Sequence, residues 1–193
     1  MERALVALVS FLTDRRLNLN QLQRHDEDAY FDQSNVAAGS TGPKNGRPHD
    51  DDDAKANSFR ELGQIIDTTL LKAYLLTNNS TLVGALLRVP NQCHVAESVK
   101  MLLQYKKYGE LVELYHGKDM HLDALQLLAK YGSLPNNALH GVGPTVAYLH
   151  RLNANYIELI LEFSKWVIQA DEAEGLRVCA EVFVDMCGLL NVV

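Results

Sequence analysis

Cysteine is scarce, with three residues in 193, and proline contributes only five. An odd, low cysteine count argues against a disulfide-stapled secreted domain and for a reducing compartment. No CxxC pair occurs, which disfavours a zinc module. No run of eighteen consecutive apolar residues exists, so no membrane-spanning helix is expected. Cations are the minority charge, 18 Lys and Arg against 24 Asp and Glu. The net charge of −6 and pI of about 5.6 exclude a basic nucleic-acid surface over the whole chain. Strand-like alternation bounded by hairpin turns is also missing. What is present is 47% apolar residues, enough for a buried core.

The first apolar stretch, Ala4 to Leu12, follows Arg3. A secretory leader needs small residues and a cleavage site next. Asp14, Arg15 and Arg16 stand there instead, and Leu17, Leu19 and Leu22 continue a helical spacing. Residues 1–23 therefore read as an ordinary buried helix.

Residues 24–57 hold eight acids, Asp26, Glu27, Asp28, Asp32 and Asp50 to Asp53, against Arg24, Lys44, Arg47 and Lys55. This segment nets −4 and leaves −2 for the rest of the chain. It holds Gly39, Gly42, Pro43, Gly46 and Pro48 and almost no large aliphatics, so a long flexible acidic loop is expected. Four adjacent aspartates lack the spaced ligands and the glycine turn of a calcium loop.

From Ser58 onward the spacing is helical. Ser58 and Glu61 have capping-box spacing, opening a helix through Phe59, Leu62, Ile66, Leu70 and Tyr74. The Asn78-Asn79-Ser80 break offers a new N-cap, and Pro90 ends the short helix after it. Further helices begin near Val95, Leu111 and Leu122, with Asp119 as the expected cap of the last. Gly143-Pro144, Asn155 and Asp171 mark three more starts. Ala124 suits close helix approach, and Leu103 and Tyr115 suit the space between layers. The string LLQYKKYG at 102–109 is echoed by LLAKYG at 127–132, which points to a repeat. The pattern predicts an all-α fold: a right-handed α-solenoid-like stack of antiparallel helix pairs, clathrin-repeat or TPR-like, over 58–193.

Chemical signals are sparse. His116, Asp119 and His121 lie close together, but across a turn and not on one helix face, so a turn with a helix cap is the better reading than a metal site. Cys93-His94 and the distant Cys179 and Cys187 read as thiols within helix packing. Gly141-Val142-Gly143-Pro144 lacks the context of a phosphate loop. Lys106 and Lys107 beside Tyr105 and Tyr108 read as a solvated helix edge, and Trp166 as core. Neither a cofactor nor a metal nor an enzymatic constellation is expected.

Several strings coincide in order: IIDTTLLKAYLLTN at 65–78, LVGALLRVPNQCHVAES at 82–98, KKYGELVELYHGKDMHLDALQLL at 106–128, PTVAYLHRL at 144–152 and LILEFSKWVIQADEAEGL at 159–176. FLTDRR at 11–16 precedes them. Together they resemble the central helical region of the vacuolar protein sorting thirty-nine family, also called the Vam-six family, over about 62–176. The last seventeen residues, 177–193, depart from that pattern.

The resemblance implies a slice of a subunit of the HOPS tethering complex. Such subunits join an N-terminal β-propeller to a long α-solenoid and act with a late-endosomal Rab GTPase in fusion at vacuoles, lysosomes and late endosomes. Expected partners are other tethering-complex subunits, that Rab GTPase or organelle membrane proteins, with cytoplasmic, peripheral association and no nucleic acid. Docking positions are expected on short helices and turns: Lys106, Lys107, Glu110, Glu113, Lys118 and Asp119. The rival reading is a generic peptide-binding adaptor, which needs a groove exposing Tyr105 or Tyr148.

Overall fold

An amphipathic helix must lay its apolar stripe on a neighbour, and helices this short hold only by doing so. The computed structural model describes residues 2–36, 50–178 and 180. Among them are eight α-helices and no strand: α1 (Glu2–Val36), α2 (Asp50–Leu76), α3 (Ser80–Arg88), α4 (Val95–Gln104), α5 (Tyr108–Gly117), α6 (His121–Gly132), α7 (Gly143–Leu149) and α8 (Ile157–Ala170). A 3-10 turn at Ala154–Tyr156 precedes α8, and residues 172–178 are again helical. The helices pack antiparallel in a solenoid-like arrangement. They divide into two units, Met1–Tyr105 and Lys106–Val193.

In the first unit α2 is the central element, packing against α1, α3 and α4. Leu70, Leu71, Ala73 and Leu75 are almost fully buried along it. Each buried leucine contributes roughly 1.5–3 kcal/mol relative to exposure. Gly63 lets α1 and a loop come close. A Cβ there would sit 3.0 Å from the Gln92 side chain and 3.4 Å from that of Leu19. The N-terminal segment is a helix buried on one face only. Leu12 and Leu19 are covered, while Val6, Phe11, Leu17 and Leu22 remain about half exposed.

Polar groups lock this unit. The Asp67 carboxylate on α2 is 3% exposed. Arg16 Nε of α1 donates to its Oδ1 at 2.6 Å, and the Gln92 backbone N–H donates to Oδ2 at 2.7 Å. Arg16 also donates to the Pro90 carbonyl at 3.0 Å. Next along α2, Thr68 Oγ1 accepts the His94 N–H at 2.9 Å. The 89–94 connection, which forms no secondary structure, thus finds its partners on α2 and α1. Asp67 and Thr68 lie in IIDTTLLKAYLLTN, Arg16 in FLTDRR, and Pro90, Gln92 and His94 in LVGALLRVPNQCHVAES.

The second unit gathers α5 to α8 around Leu125, Leu128, Leu149, Ile160 and Val167. Ala124 is fully buried, as its size suggests, and Tyr115 packs against this core. Leu103 is 40% exposed, and Leu102 beside it is the buried residue. Trp166 is half-buried against the core. Its ring lies over Gly132, where a Cβ would meet Trp166 Cη2 at 2.9 Å and the Gly141 carbonyl at 3.0 Å. The LL halves of the echoed strings both sit near helix C-termini, at the end of α4 and in α6. Their KYG halves differ, one opening α5 and the other closing α6.

Several boundaries differ from the expected ones. The helix expected from Ser58 begins at Asp50, so Ser58 is interior and forms no capping box. Both ends of the segment expected as a loop over 24–57 are helical instead: 24–36 prolong α1 and 50–57 open α2, while 37–49 lie outside the described residues. A packed helix propagates at little cost once nucleated, and acidic residues in a first turn suit the helix dipole. Asp119 does not cap α6, whose N-cap is Met120 without a side-chain bond. Tyr156, not Asn155, is the N-cap of α8. Asn79 caps α3 through Leu82 N, Pro144 begins α7, and Asp171 Oδ1 accepts the Glu174 N–H at 3.1 Å, all as expected. Residue 179 and residues 181–193, including Cys179 and Cys187, lie outside those described.

Because Asp67 is buried between two donors on different segments, Asp67→Ala is expected to cost about 3 kcal/mol, as when one member of a buried pair is removed. Arg16→Ala should cost at least as much, since it leaves the buried carboxylate with only the Gln92 N–H, whereas the Arg16 side chain left by Asp67→Ala is 22% exposed and can turn to water. Urea unfolding followed by circular dichroism tests the order of the two.

Candidate functional site

The residues expected to carry docking cluster at the start of the second unit, and the structure gives each a local job. Lys106 follows α4 with φ +54, and Lys107 is the N-cap of α5. Glu110 lies in the first turn of α5, and Lys118 is its C-cap. Asp119 has φ +55 and its side chain is 84% exposed. Lys106 and Asp119 are exposed, the other four half-buried.

Asp119 closes α5. The Met120 N–H donates to the Tyr115 carbonyl at 2.9 Å, and the Asp119 N–H to the His116 carbonyl at 3.2 Å. These bonds place Asp119 at the left-handed position of a Schellman motif. Asn78 does the same for α2, with Asn79 N–H on the Tyr74 carbonyl and Asn78 N–H on that of Leu75. A Gly would be the unstrained residue here, and Asp or Asn the tolerated ones. The sequence contained this signal in the offset of Asn78 and Asp119 past an apolar helix end, but a helix start also favours Asp.

Glu113 joins a network that sequence spacing did not bring together. Arg151, after α7, forms a two-pronged ion pair with Glu113 of α5 at 2.9 and 3.0 Å. Its guanidinium also lies 5.8 Å from the Tyr148 ring centroid. Tyr148 is 2% exposed, and its hydroxyl meets His121 Nδ1 at 2.8 Å. On its other side, His121 Nε2 faces the Asp119 carboxylate at 3.7 Å. That carboxylate favours the tautomer with its proton on Nε2, so Nδ1 accepts from Tyr148 Oη. The His116 and Tyr156 rings contact His121 edge to face, at centroid distances of 5.5 and 4.4 Å.

Burial sets the protonation of this cluster. Desolvation lowers the pKa of His121, with Asp119 opposing and Arg151 assisting. The pKa of His116 is lowered first by desolvation, then by Arg151 and His121, with Glu113 and Asp119 opposing. Desolvation keeps the Tyr148 phenol protonated well above its ordinary range. Among the described residues no group of three or more His, Cys, Asp or Glu could hold a metal ion. His116, Asp119 and His121 are brought together, but as a turn and a packing contact.

Two further surfaces stand out. A shallow groove of about 290 Å³ in the first unit is lined by Gln64, Ile65, Thr68, Thr69, Lys72, His94 and Glu97. Lys72 and Glu97 pair across it at 2.5 Å, and this hydrogen bond, ahead of the charge attraction, lowers the Glu97 pKa. His94 is the N-cap of α4, its Nδ1 accepting the Glu97 N–H. Cys93 is a buried thiol, as expected. The other surface is the Tyr108–Tyr131 pair, with ring centroids 4.2 Å apart. The groove that a peptide-binding adaptor would need does not use Tyr148, which is buried beneath His121.

No helix among the described residues is long and apolar enough to cross a membrane. The arrangement is that of a helical-repeat scaffold, in which polar side chains fasten helices to one another. A model of the family described as Vacuolar sorting protein 39 domain 1 matches residues 66–168. The chain is 42% identical over 134 residues to the Vacuolar protein sorting-associated protein 39 homolog of Drosophila melanogaster, covering 69% of this chain and 15% of that protein. It is 37% identical over 182 residues to the Vam6/Vps39-like protein of Homo sapiens, covering 94% and 19%. With the Vacuolar morphogenesis protein 6 of Schizosaccharomyces pombe the identity is 31% over 193 aligned positions, covering 95% and 20%. No solved structure matches. The chain belongs to the Vps39/Vam6 family and spans 15–20% of the length of these three relatives.

Two expected outcomes follow from the cluster. Both imidazole pKa values are lowered in the fold, so below the ordinary histidine value of about 6.5 the unfolded chain binds more protons. Stability should fall as pH drops from 7 through 6 toward the lowered folded values, and be level above about 7. Urea midpoints read by Trp166 fluorescence test this, and replacing His116 and His121 together by Gln should flatten the slope between pH 7 and 6. At the α5 turn, Asp119→Gly should be more stable than Asp119→Ala by about 1 kcal/mol, because only the glycine accepts φ +55 without strain.

Proposed function

We propose that this chain is a non-enzymatic interaction segment of a HOPS-type membrane-tethering subunit, acting in vesicle and vacuole fusion and in protein transport at late endosomes and lysosomes. The observation that carries this reading is the family match over 66–168, which runs from α2 into α8 and so takes in packed helices of both units. The names of the relatives, vacuolar protein sorting and vacuolar morphogenesis, agree with it. Its partners are other tethering-complex subunits, a late-endosomal Rab GTPase or organelle membrane proteins. The segment sits in the cytoplasm, peripheral to vacuolar, lysosomal and late-endosomal membranes, and reaches them through those partners.

The mechanism is mechanical. The buried Asp67 carboxylate, the Arg151–Glu113 pair and helix caps hold short helices in register, leaving polar turns such as Lys106 and Asp119 at the surface. Weak contacts at several such turns add through effective concentration once one of them is made. The rival adaptor reading loses one of its two aromatic anchors with the burial of Tyr148.

A cell-free vacuole fusion reaction tests the proposal. Excess purified chain should compete with the endogenous subunit and reduce content mixing in a dose-dependent way, while heat-unfolded chain should not. Full content mixing at saturating chain, with no chain recovered on the vacuoles, would overturn it.

A further inference from the structure

The antiparallel pairing of α5 and α6 joins the start of one helix to the end of the other. Residues 23 positions apart therefore meet: Tyr108 opens α5 just after Lys106 and Lys107, and Lys130 and Tyr131 lie at the end of α6. The centroids of the two tyrosine rings lie 4.2 Å apart, with their planes inclined by 30°. Lys130 Nζ stands 5.7 Å from the Tyr131 ring centroid, held against its face. Lys106 stands two residues before Tyr108 and Lys130 directly before Tyr131, so a cation accompanies each ring of the pair along the chain.

Both lysines are exposed, and among the described residues neither has an ion-pair partner. Lys106 is displayed in a left-handed turn, which fixes its backbone, and Leu134 beyond α6 is 47% exposed. Glu110 is the acid of the first turn of α5. Rigid tyrosines supply binding energy at protein interfaces at a low ordering cost, and lysines at the rim add charge complementarity that selects the partner.

We propose that Lys106, Lys130 and the Tyr108–Tyr131 pair form a docking surface for an acidic peptide segment of a partner protein, its carboxylates meeting the two ammonium groups and an apolar side chain lying on the tyrosine rings. The proposal deepens the scaffold reading, on which it rests for treating the chain as a binding module. The surface carries too few charges for other anionic partners. Anionic membranes are read by clusters of about four to eight basic residues. Nucleic acid demands several phosphate contacts, which a chain of net charge −6 does not concentrate here.

The test is fluorescence anisotropy on the whole chain with a short labelled peptide of Glu, Asp and Leu, its lysine-for-acid counterpart, and phosphatidylserine vesicles. The acidic peptide should bind saturably and weaken as salt rises. The double reversal Lys106→Glu with Lys130→Glu should reduce its affinity at least tenfold, and Tyr131→Ala should weaken it with an unchanged circular dichroism spectrum. If Tyr131→Ala unfolds the chain, the lysine reversal decides alone. Absence of saturable binding overturns the proposal, as does binding indifferent to the reversal, or vesicle binding stronger than peptide binding. The reversed chain, carried into the vacuole fusion reaction, separates the two readings. If peptide binding is absent but the native chain still inhibits fusion, only the docking surface fails. If peptide binding holds while the native chain leaves fusion unaffected, the tethering role fails.

Discussion

One buried carboxylate organises the first four helices. Asp67 is almost out of reach of water, and an unpaired charge there would cost several kcal/mol. It is served from two directions, by the Arg16 guanidinium of α1 and by the Gln92 N–H of the connection before α4. Neither the helix pair nor the connection can move without stranding it. The same guanidinium takes up the Pro90 carbonyl, so a stretch that a proline bars from helix is still satisfied. Hydrophobic burial along α2 supplies most of the stabilisation, but it is non-directional. The carboxylate chooses which part of α1 lies against which part of α2.

The second unit solves the same problem with neutral groups. His121 and Tyr148 are buried polar side chains that satisfy each other, and the His116 and Tyr156 rings close around them. Tight approach does the rest, at Gly132 beneath Trp166. The ion pair of this unit, Arg151 with Glu113, stays nearer the surface, where its worth is lower and its geometry is two-pronged. These are the features of a scaffold in which His121, Tyr148, Arg151 and Glu113 fasten helices to one another. That leaves binding to the turns and helix ends, which agrees with the placement of Lys106, Asp119 and the Tyr108–Tyr131 pair.

Much of the helical order was legible in the residues. Asn79, Pro90, Pro144 and Asp171 act at the chain positions where local stereochemistry puts them, because caps and proline need only their nearest neighbours. Where two local signals competed, the sequence pointed the wrong way. Asp119 looked like the start of α6 and is the left-handed end of α5, a choice made by hydrogen bonds reaching back to Tyr115 and His116. Ser58 and Glu61 had capping-box spacing, yet α2 continues through them from Asp50. Of the expected docking residues, Asp119 was read within a turn, whereas Lys106 was read as a helix edge and stands in a left-handed turn after α4. Lys130 and Tyr131 were passed over, since nothing in a linear reading places them beside Lys106.

The sequence by itself determined the class of protein: all-α, with short capped helices and a set of ordered motifs sufficient to mark its family. Helical periodicity, caps and motif order are local or one-dimensional, and so they survive without coordinates. Only the tertiary structure decided what those motifs are for. It showed that Asp67 in one string binds Arg16 in another, that Tyr148 is buried under His121, and that Tyr108 meets Tyr131. Each is a contact between residues 23 to 51 positions apart. Their pairing depends on how antiparallel helices pack, and side-chain spacing along one chain carries no record of that.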